Sequence, residues 1–392
     1  MSEEATPRVS LATIAREWGR IGVIGFGGPP AHIALMRARF VVERRWVEEK
    51  AFEDGIAATN LLPGPASTQL SILCAWRLRG TVGALVGGLC FILPGLTAIL
   101  LLAALFLSAR PPLWVLGAAA GASAAVPAVA LHASAGLAPS AWRRVADHRW
   151  ARVRWLVYLG LGAVSAATIG PFLVLVLLTC GLLEVCITTD FFGGRATGQR
   201  LGLLVPVVPS VVAAGGMGAL AWVALKVGAL SYGGGFVIVP LMQHDAVHTY
   251  HWMTAGQFLD AVALGQMTPG PVVQTVAVVG YAAAGVAGGL LAAVIAFAPS
   301  FVFVIAGASH FDRLRHSASA RAFLTGAGAA AIGAIAGSAV PLGLALAHLW
   351  QVGVLAAALM ALLVLRRAVV PTLLGAGALG VLAALAGAPV PH

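Results

Sequence analysis

Apolar runs follow one another along almost the whole chain, and short polar loops separate them. The spans of the first half are 15–36, 53–76, 81–108, 113–135, 155–169 and 171–188, and those of the second half are 224–242, 257–282, 285–308, 322–345, 347–365 and 369–388. Several runs reach the roughly 20 residues that an α-helix needs to cross a bilayer. With the segment 201–221 between the halves, the pattern predicts an all-α, polytopic integral membrane protein with about 12–13 transmembrane helices.

Composition supports this prediction. Of the 392 residues, 60% are hydrophobic and 10% are charged, whereas soluble domains carry about 25% charged residues. The net charge of +10 is scattered over short loops, which argues against nucleic acid as a partner and for the lipid bilayer as the environment. The four cysteines have no metal-ligand spacing, so we expect them to be packing residues and expect no metal site.

The two halves of the chain are copies of each other. A shift of 206 residues aligns them without a gap over about 45 residues, and the matches include Trp46 with Trp252, Phe52 with Phe258, Asp54 with Asp260, and Pro63-Gly64-Pro65 with Pro269-Gly270-Pro271. Apolar composition alone does not align such different residue types. We therefore predict a first transmembrane repeat at 1–195, a linking transmembrane segment at 196–222 and a second repeat at 223–392.

Loop charge predicts that the second repeat is turned over. With a cytoplasmic N-terminus, the basic loop 143–154 lies inside, and its counterpart 348–351 has no formal charge. The near-neutral loop 109–112 corresponds to the basic loop 309–321, and the stretch 37–54 of mixed charge is expected outside. Positive charge thus stays inside while the repeat flips. Inverted repeats of this kind are the ground plan of many secondary transporters.

Glycine and proline interrupt the apolar spans at repeat-matched positions. The predicted anion-binding residues at these four breaks are Gly27, Gly28 and Pro29; Pro63, Gly64 and Pro65; Gly233, Gly234 and Gly235; and Pro269, Gly270 and Pro271. A broken helix is tolerated in a membrane only where it is buried in protein or lines a watery cavity. Because proline suits the first turn of a helix, each break is expected to start a half-helix whose free N–H groups bind an anion. Ordinary kinks in packed helices would give the same pattern.

Four charged residues occupy matched positions near the breaks. Arg20 and Lys226 lie within spans, where a cation usually marks a substrate path, although both could also snorkel to an interface. Asp54 and Asp260 lie near the start of the second helix of each half. They suit ion or proton coupling as well as a capping role.

Polar residues beside the breaks complete the predicted site. His32 could couple proton binding to anion release, or it could be a packing histidine. Gln69 and Gln274 could ligate oxygen atoms or bond across helices. The sequence holds no P-loop, HExxH or G-x-S-x-G motif, so no catalytic residue, cofactor or ATP-driven step is predicted. The driving force is then expected to be an ion gradient or the membrane potential.

With these residues in view, the sequence resembles the chromate ion transporter family in its long two-domain form. The resemblance rests on four ordered motifs, namely Phe26-Gly27-Gly28-Pro29-Pro30-Ala31-His32-Ile33, Pro63-Gly64-Pro65 with Gln69-Leu70, Tyr232-Gly233-Gly234-Gly235 with Pro240-Leu241, and Gly265-Gln266-Met267-Thr268-Pro269-Gly270-Pro271-Val272-Val273. It covers essentially the whole chain. It implies a multi-pass protein of the bacterial inner membrane that expels chromate from the cytoplasm and confers chromate resistance.

Other functions remain open at this stage. Sulfate has the shape and charge of chromate, so the residues do not separate the two oxyanions. An anion channel also uses helix ends and carbonyl groups at its constriction. A chromate reductase is disfavoured because the sequence lacks flavin, haem and metal motifs. The oligomeric state is also open, a homodimer included.

Overall fold

The computed structural model describes residues 9–60, 62–108, 111–146, 148–168, 173–188, 216–231, 237–307 and 317–390. All regular secondary structure in these ranges is helical, which confirms the predicted all-α fold. Four stretches are long and apolar enough to cross a membrane, namely Ala66–Phe106, Leu113–Arg143, Val272–Gly307 and Ala318–Leu344. Four shorter apolar helices accompany them. The polytopic character predicted from the apolar runs is therefore also confirmed.

The helices divide between the two repeats. In chain order they are α1 Leu11–Ile24, α2 Pro29–Met36, α3 Glu49–Thr59, α4 Ala66–Phe106, α5 Leu113–Ala124, α6 Val126–Arg143, α7 Arg149–Thr168 and α8 Leu173–Thr188, then α9 Gly216–Leu230, α10 Ile238–Gln243, α11 Ala255–Met267, α12 Thr275–Gly307, α13 Ala318–Leu344, α14 Leu349–Leu359 and α15 Val369–Leu385. Helices α2, α10 and α14 continue as π-helical turns over Arg37–Glu43, His244–Thr249 and Met360–Val364.

The first two helices form a hairpin that turns back at the glycine break. Near its open end the rings of Trp18 and Phe40 stack at 4.0 Å. At its tip the His32 ring lies 2.9 Å from the carbonyl oxygen of Gly25. Helix α1 has 14 residues, which is about 21 Å of helix and too short for a hydrocarbon core of roughly 30 Å. The hairpin therefore enters the apolar region and leaves it on the same side.

A second hairpin follows, with the first Pro-Gly-Pro segment at its tip. Helix α3 packs antiparallel to the first arm of α4, because Gly55 lies against Leu70 and Leu73, and Arg77 donates to the carbonyl oxygen of Ala51. The breaks predicted within the spans 15–36 and 53–76 are thus present, but each span, which was predicted as one crossing, turns back at its break. The correction has a physical cause: hydropathy registers the length of an apolar run and cannot show that the run turns back within it.

A tight turn at a glycine divides each of the long helices α4 and α12 into two arms. Helix α4 doubles back at Gly80, whose φ of 58° and ψ of −149° lie in a region that favours glycine, and α12 does the same at Gly285 with φ 62° and ψ −154°. After the turn Gly87 packs against Ala75 of the preceding arm. The same rare backbone geometry at matched positions shows that the repeat in sequence is also a repeat in structure.

The long second arms of α4 and α12 run in opposite directions. Gly88 lies against the ring of Phe301, and Leu100 lies against Gly289. Residue numbers therefore rise along the arm of α4 while those of the contacting residues in α12 fall, so the two arms are antiparallel. Because these arms are equivalent elements of the two repeats, their antiparallel packing is the arrangement that inverted repeats require.

The polar connector 37–50 lies on the opposite side of the protein from the one predicted for it. Arg79 donates to the carbonyl oxygen of Val9 over 3.3 Å, and the neighbouring Arg77 reaches Ala51. The connector therefore lies on the side of the chain start instead of opposite it. It contains four arginines and a lysine, whereas its counterpart 243–256 contains neither residue type. With the connector inside, the charge asymmetry of these two loops follows the positive-inside rule.

The last helices of each repeat pack on the other repeat. Helices α7 and α8 pack on α13, where Gly162 approaches Ala330 and Gly326 approaches Cys180. In the matched contact, α15 packs on α5 at Gly121. Small residues allow these close backbone approaches, which drive helix association within a membrane. The two repeats are thus interlocked around the central hairpins.

Candidate functional site

Breaks from opposite repeats meet inside the protein. The backbone N–H of Gly270 donates to the carbonyl oxygen of Gly25 over 2.8 Å, which joins the second Pro-Gly-Pro segment to the first glycine break. His32 lies at the same junction, with Nε2 2.9 Å from Gly25 O and Nδ1 3.2 Å from Ser67 Oγ. The His32 side chain is fully buried, and Phe91 contacts it edge-on at 5.2 Å. Both ring nitrogens thus have partners, so one tautomer of the neutral imidazole satisfies the site.

The two repeat-matched glutamines use their amide groups differently: Gln69 bonds to its own break, and Gln274 bonds to the long arm of α4 in the other repeat. Gln69 Nε2 donates to the carbonyl oxygen of Pro63 over 2.7 Å, and Gln274 Nε2 donates to that of Ile92 over 3.1 Å. Both side-chain oxygens are left without a hydrogen-bond partner among the described residues. Each is an acceptor that needs a donor such as a bound water.

Among the described residues, other buried polar atoms also lack a hydrogen-bond partner. Those on segments that adjoin the breaks or pack on them are the hydroxyl oxygens of Thr68, Ser71, Ser231 and Ser300 and the amide nitrogen of Gln266. Unpaired buried polar groups are scarce in folded proteins and usually mark a place where water, an ion or a ligand binds. Hydroxyl and amide groups can donate to an oxyanion. Thr68 and Gln266 lie three residues from a Pro-Gly-Pro segment, and Ser300 Oγ lies beside Gly64. These positions mark the breaks as the candidate site.

Glycine is required at the tips of both Pro-Gly-Pro turns. Gly64 has φ +121° and Gly270 has φ +93°, values that side-chain-bearing residues rarely adopt. A Cβ on Gly64 would lie 2.5 Å from Gln69 Nε2, and one on Gly270 would lie 2.8 Å from Gln274 Nε2. The turns therefore place free backbone N–H groups at the start of α4 and of the 3₁₀ turn Val272–Gln274, as predicted.

A cavity of about 240 Å³ leads to one of the two Pro-Gly-Pro turns. Its inner end is formed by Gly64 and Ala66, and its mouth includes the exposed side chain of Arg144. The wall between them is formed by Thr59, Asn60, Leu62, Leu137, Ser140, Ala141, Trp155, Val237, Leu324, Thr325, Gly328, Ala329, Ala331, Ile332 and Ile335. The cavity lies between the repeats, because α6 and α7 form one side of it and α13 forms the other.

The two repeats are not equally open. Asn60 lines the cavity and is exposed, whereas its repeat partner Gln266 is 7% exposed and its amide nitrogen has no partner. Matched residues beside matched turns thus differ in access. An inverted-repeat carrier that is open to one side has this asymmetry.

The charge of Lys226 is balanced by a neighbouring carboxylate and is not left over for an anion. Its ammonium group pairs with the carboxylate of Asp245, and both side chains are largely buried, at 17% and 12% exposed. Its repeat partner Arg20 is exposed on α1. The structure therefore does not bring these two cations to the breaks in this conformation.

The first repeat contains the same kind of pair with its charges reversed. Glu17 on α1 accepts from Arg39 over 2.7 Å and from Arg44 over 2.8 Å, and it is 3% exposed. Arg39 and Asp245 are equivalent under the 206-residue shift. Each pair closes the open end of a hairpin by tying its first helix to its π-helical turn. Sequence reasoning missed Glu17, although an acid within an apolar span is a signal for a buried partner.

The two predicted coupling carboxylates are not helix caps. Asp260 accepts a hydrogen bond from Ser123 of α5, and Thr254 is the residue that caps α11. Helix α3 begins at Glu49, so Asp54 also lies beyond the first turn, where it is partly buried. The capping alternative is therefore excluded, and Asp260 instead links α11 to the other repeat.

Other predicted residues are placed as follows. Gly27 is exposed at the first break, and Gly28 and Pro29 begin α2 beside Val272. Gly233, Gly234 and Gly235 lie outside the described residues. Among the described residues there is no cluster of three or more histidine, cysteine or acidic side chains that could hold a metal ion.

Comparison with known proteins gives consistent matches over most of the chain. Residues 12–185 and 218–382 match the family described as chromate transporter. The chain is 32% identical over 352 residues to a chromate transport protein of Cupriavidus metallidurans, covering 87% of this chain and 84% of the relative. It is 30% identical over 346 residues to a probable chromate transport protein of Synechococcus elongatus, covering 86% of each. No solved structure matches.

Proposed function

The chain belongs to the chromate transporter family, and on that basis we propose that it is a secondary carrier that exports chromate from the bacterial cytoplasm. The family assignment confirms the resemblance drawn from the four motifs. The relatives named above are transport proteins, and the fold is that of a multi-pass membrane protein. Export, inner-membrane location, a cytoplasmic N-terminus and chromate resistance are parts of the proposal.

One observation carries the proposal: breaks from two oppositely directed repeats meet through the bond from Gly270 N to Gly25 O. Around this junction lie free N–H groups, buried hydroxyls without partners and the inner end of a cavity. Half-helix N-termini at such a junction attract an anion through their positive dipole ends and free donors. The same arrangement serves substrate binding in other inverted-repeat transporters.

The proposed binding residues are those of the turns themselves. Backbone N–H groups that follow Pro65 and Pro271 would donate to the oxyanion. Gln69 would hold the first turn in shape, and Gln274 would tie the second turn to α4 of the other repeat. Because Lys226 is paired with Asp245, stabilisation of the dianion falls mainly on these neutral donors. Protonation of His32, which is buried at the junction, would add a positive charge beside the turns and strengthen anion binding.

Alternating access follows from the asymmetry of the two repeats. In this conformation the cavity opens beside Arg144, next to the basic loop 143–154 that is predicted to be cytoplasmic. Rocking of the interlocked helices α13 and α6 would close this cavity and expose Gln266 on the other side. A dianion that leaves an interior at −100 mV gains about 4.6 kcal/mol of electrical free energy, so the membrane potential favours export.

Counterflow in proteoliposomes tests the proposal. Purified protein is reconstituted with unlabelled chromate inside, and uptake of ⁵¹Cr-chromate is measured at zero membrane potential, with empty liposomes as the control. A carrier gives a transient accumulation above equilibrium, whereas a channel only equilibrates the label. Sulfate added as a competitor measures selectivity between the two oxyanions. The proposal would be refuted if the protein did not take up chromate and if chromate did not compete with another transported anion.

A further inference from the structure

The mouth of the cavity has the chemistry of an anion site. Among the described residues that line it, Arg144 is the only ionisable one, and none is acidic. Arg144 makes no ion pair among the described side chains, and its side chain is exposed to solvent at the mouth. The described lining of the cavity therefore presents one positive charge and no negative charge to an entering ion.

The hydroxyl groups of the cavity wall are already engaged. Thr59 donates to the carbonyl oxygen of Gly55 over 2.9 Å, and Ser140 donates to that of Leu137 over 3.0 Å. Thr325 donates to the carbonyl oxygen one turn earlier in α13, over 2.9 Å. The side-chain donors that remain for a ligand in the described lining are the Arg144 guanidinium, the Asn60 amide and an indole.

That indole belongs to Trp155. Its side chain is 4% exposed, and its Nε1 atom has no hydrogen-bond partner among the described residues. Trp142 packs edge-on against it, with ring centroids 5.3 Å apart, which fixes the ring against the cavity. Buried tryptophan N–H groups usually find an acceptor, so an acceptor supplied by a ligand or its water would complete this environment.

We propose that Arg144 and Trp155 form an outer oxyanion subsite, which binds the transported ion before it reaches the breaks. This inference rests on the proposed transport function. Arg144 supplies charge and a forked pair of donors that match two oxygens of a tetrahedral oxyanion. Trp155 and Asn60 supply neutral donors deeper in the cavity, on the way to Gly64. The subsite determines capture of the ion and therefore the KM for transport from this side.

Arg144→Gln and Arg143→Gln form a matched pair that tests the subsite. Arg143 is exposed and carries the same charge in the same loop, but it does not line the cavity. In vesicles whose cytoplasmic face is outward, Arg144→Gln is expected to raise the KM for ⁵¹Cr-chromate about tenfold, the loss typical of a charge-assisted hydrogen bond. Vmax should stay close to the wild-type value, Arg144→Lys should recover part of the affinity, and Arg143→Gln should change KM less than about twofold.

Trp155→Phe removes the indole N–H and keeps a ring in place. It is expected to raise KM by several-fold, and size-exclusion chromatography checks that the variant folds. Equal KM values for wild type, Arg144→Gln and Trp155→Phe would overturn the subsite while leaving the carrier function intact. Equal effects of Arg143→Gln and Arg144→Gln would also overturn it, because general surface attraction would then explain both. No transport by the wild-type protein would overturn the proposed function and the subsite together.

Discussion

Removal of Lys226 is the perturbation whose effect the structure determines most sharply. The ammonium group neutralises Asp245, and the two side chains are 17% and 12% exposed. Loss of one partner from a buried pair leaves an uncompensated charge, which costs about 3–5 kcal/mol. Since some solvent reaches this pair, we expect Lys226→Ala to destabilise the protein by about 3 kcal/mol. Folded proteins are stable by only about 5–15 kcal/mol, so the loss is large.

A double-mutant cycle measures the pair directly. The single variants Lys226→Ala and Asp245→Ala and the double variant are compared by thermal unfolding in detergent, and transport is measured for each. We expect the double variant to regain most of the lost stability and also transport, because removal of both charges removes the unpaired one. Arg20→Ala is the matched control, since Arg20 is the repeat partner of Lys226 and is exposed. It should change stability by less than about 0.5 kcal/mol.

Two outcomes of this cycle would refute the reasoning. Strictly additive effects of the single variants would show that Lys226 and Asp245 do not interact. A stable double variant that fails to transport would show that Lys226 itself serves the anion, which is the role predicted from its position in the sequence. In that case the Asp245 carboxylate would be a partner that the substrate displaces.

Two further predictions concern the breaks. Gly64→Ala should abolish chromate uptake while membrane insertion stays normal, because the added methyl would lie 2.5 Å from an amide nitrogen and Gly64 has a φ of +121°. The control Gly136→Ala, whose methyl would meet nothing within 4 Å, should leave uptake unchanged. Wild-type uptake by the Gly64 variant would contradict the assigned turn. Pro269→Ala combined with Pro271→Ala should lower uptake at least tenfold, because α11 can then extend through the turn and remove the free N–H groups; unchanged uptake would show that the break does not bind the ion.

The sequence was sufficient to predict the repeat and its inversion. Apolar content predicted the helices, and the matched Pro-Gly-Pro segments predicted turns that the structure confirms at Gly64 and Gly270. The direction of the second repeat followed from loop charge, and the antiparallel arms that pack Gly88 on Phe301 agree with it. These features leave strong local signals, because proline, glycine and arginine act through backbone geometry and membrane sidedness.

The hairpins and the charge pairs were not predictable in the same way. An apolar run of 22 residues at 15–36 is equally compatible with one crossing and with two half-helices that turn back. The difference depends on contacts such as Trp18 with Phe40. Likewise, Lys226 was assigned to the substrate because a cation within an apolar span usually marks a substrate path. Its partner Asp245 lies 19 residues away on another helix, so the sequence holds no sign of the pair. Sequence spacing does not reveal pairs that only tertiary packing creates.

Sidedness of two matched turns tests the central claim, which is that oppositely oriented copies bring their breaks together. Arg45 and His251 are equivalent under the 206-residue shift, are exposed and have the same backbone conformation, with φ 51° and 50°. Each is replaced by cysteine in a variant that lacks the four native cysteines, and intact cells are treated with a membrane-impermeant maleimide. The account predicts that His251→Cys reacts in intact cells and that Arg45→Cys reacts only after the membrane is opened. Reaction of both cysteines from the same side would contradict it.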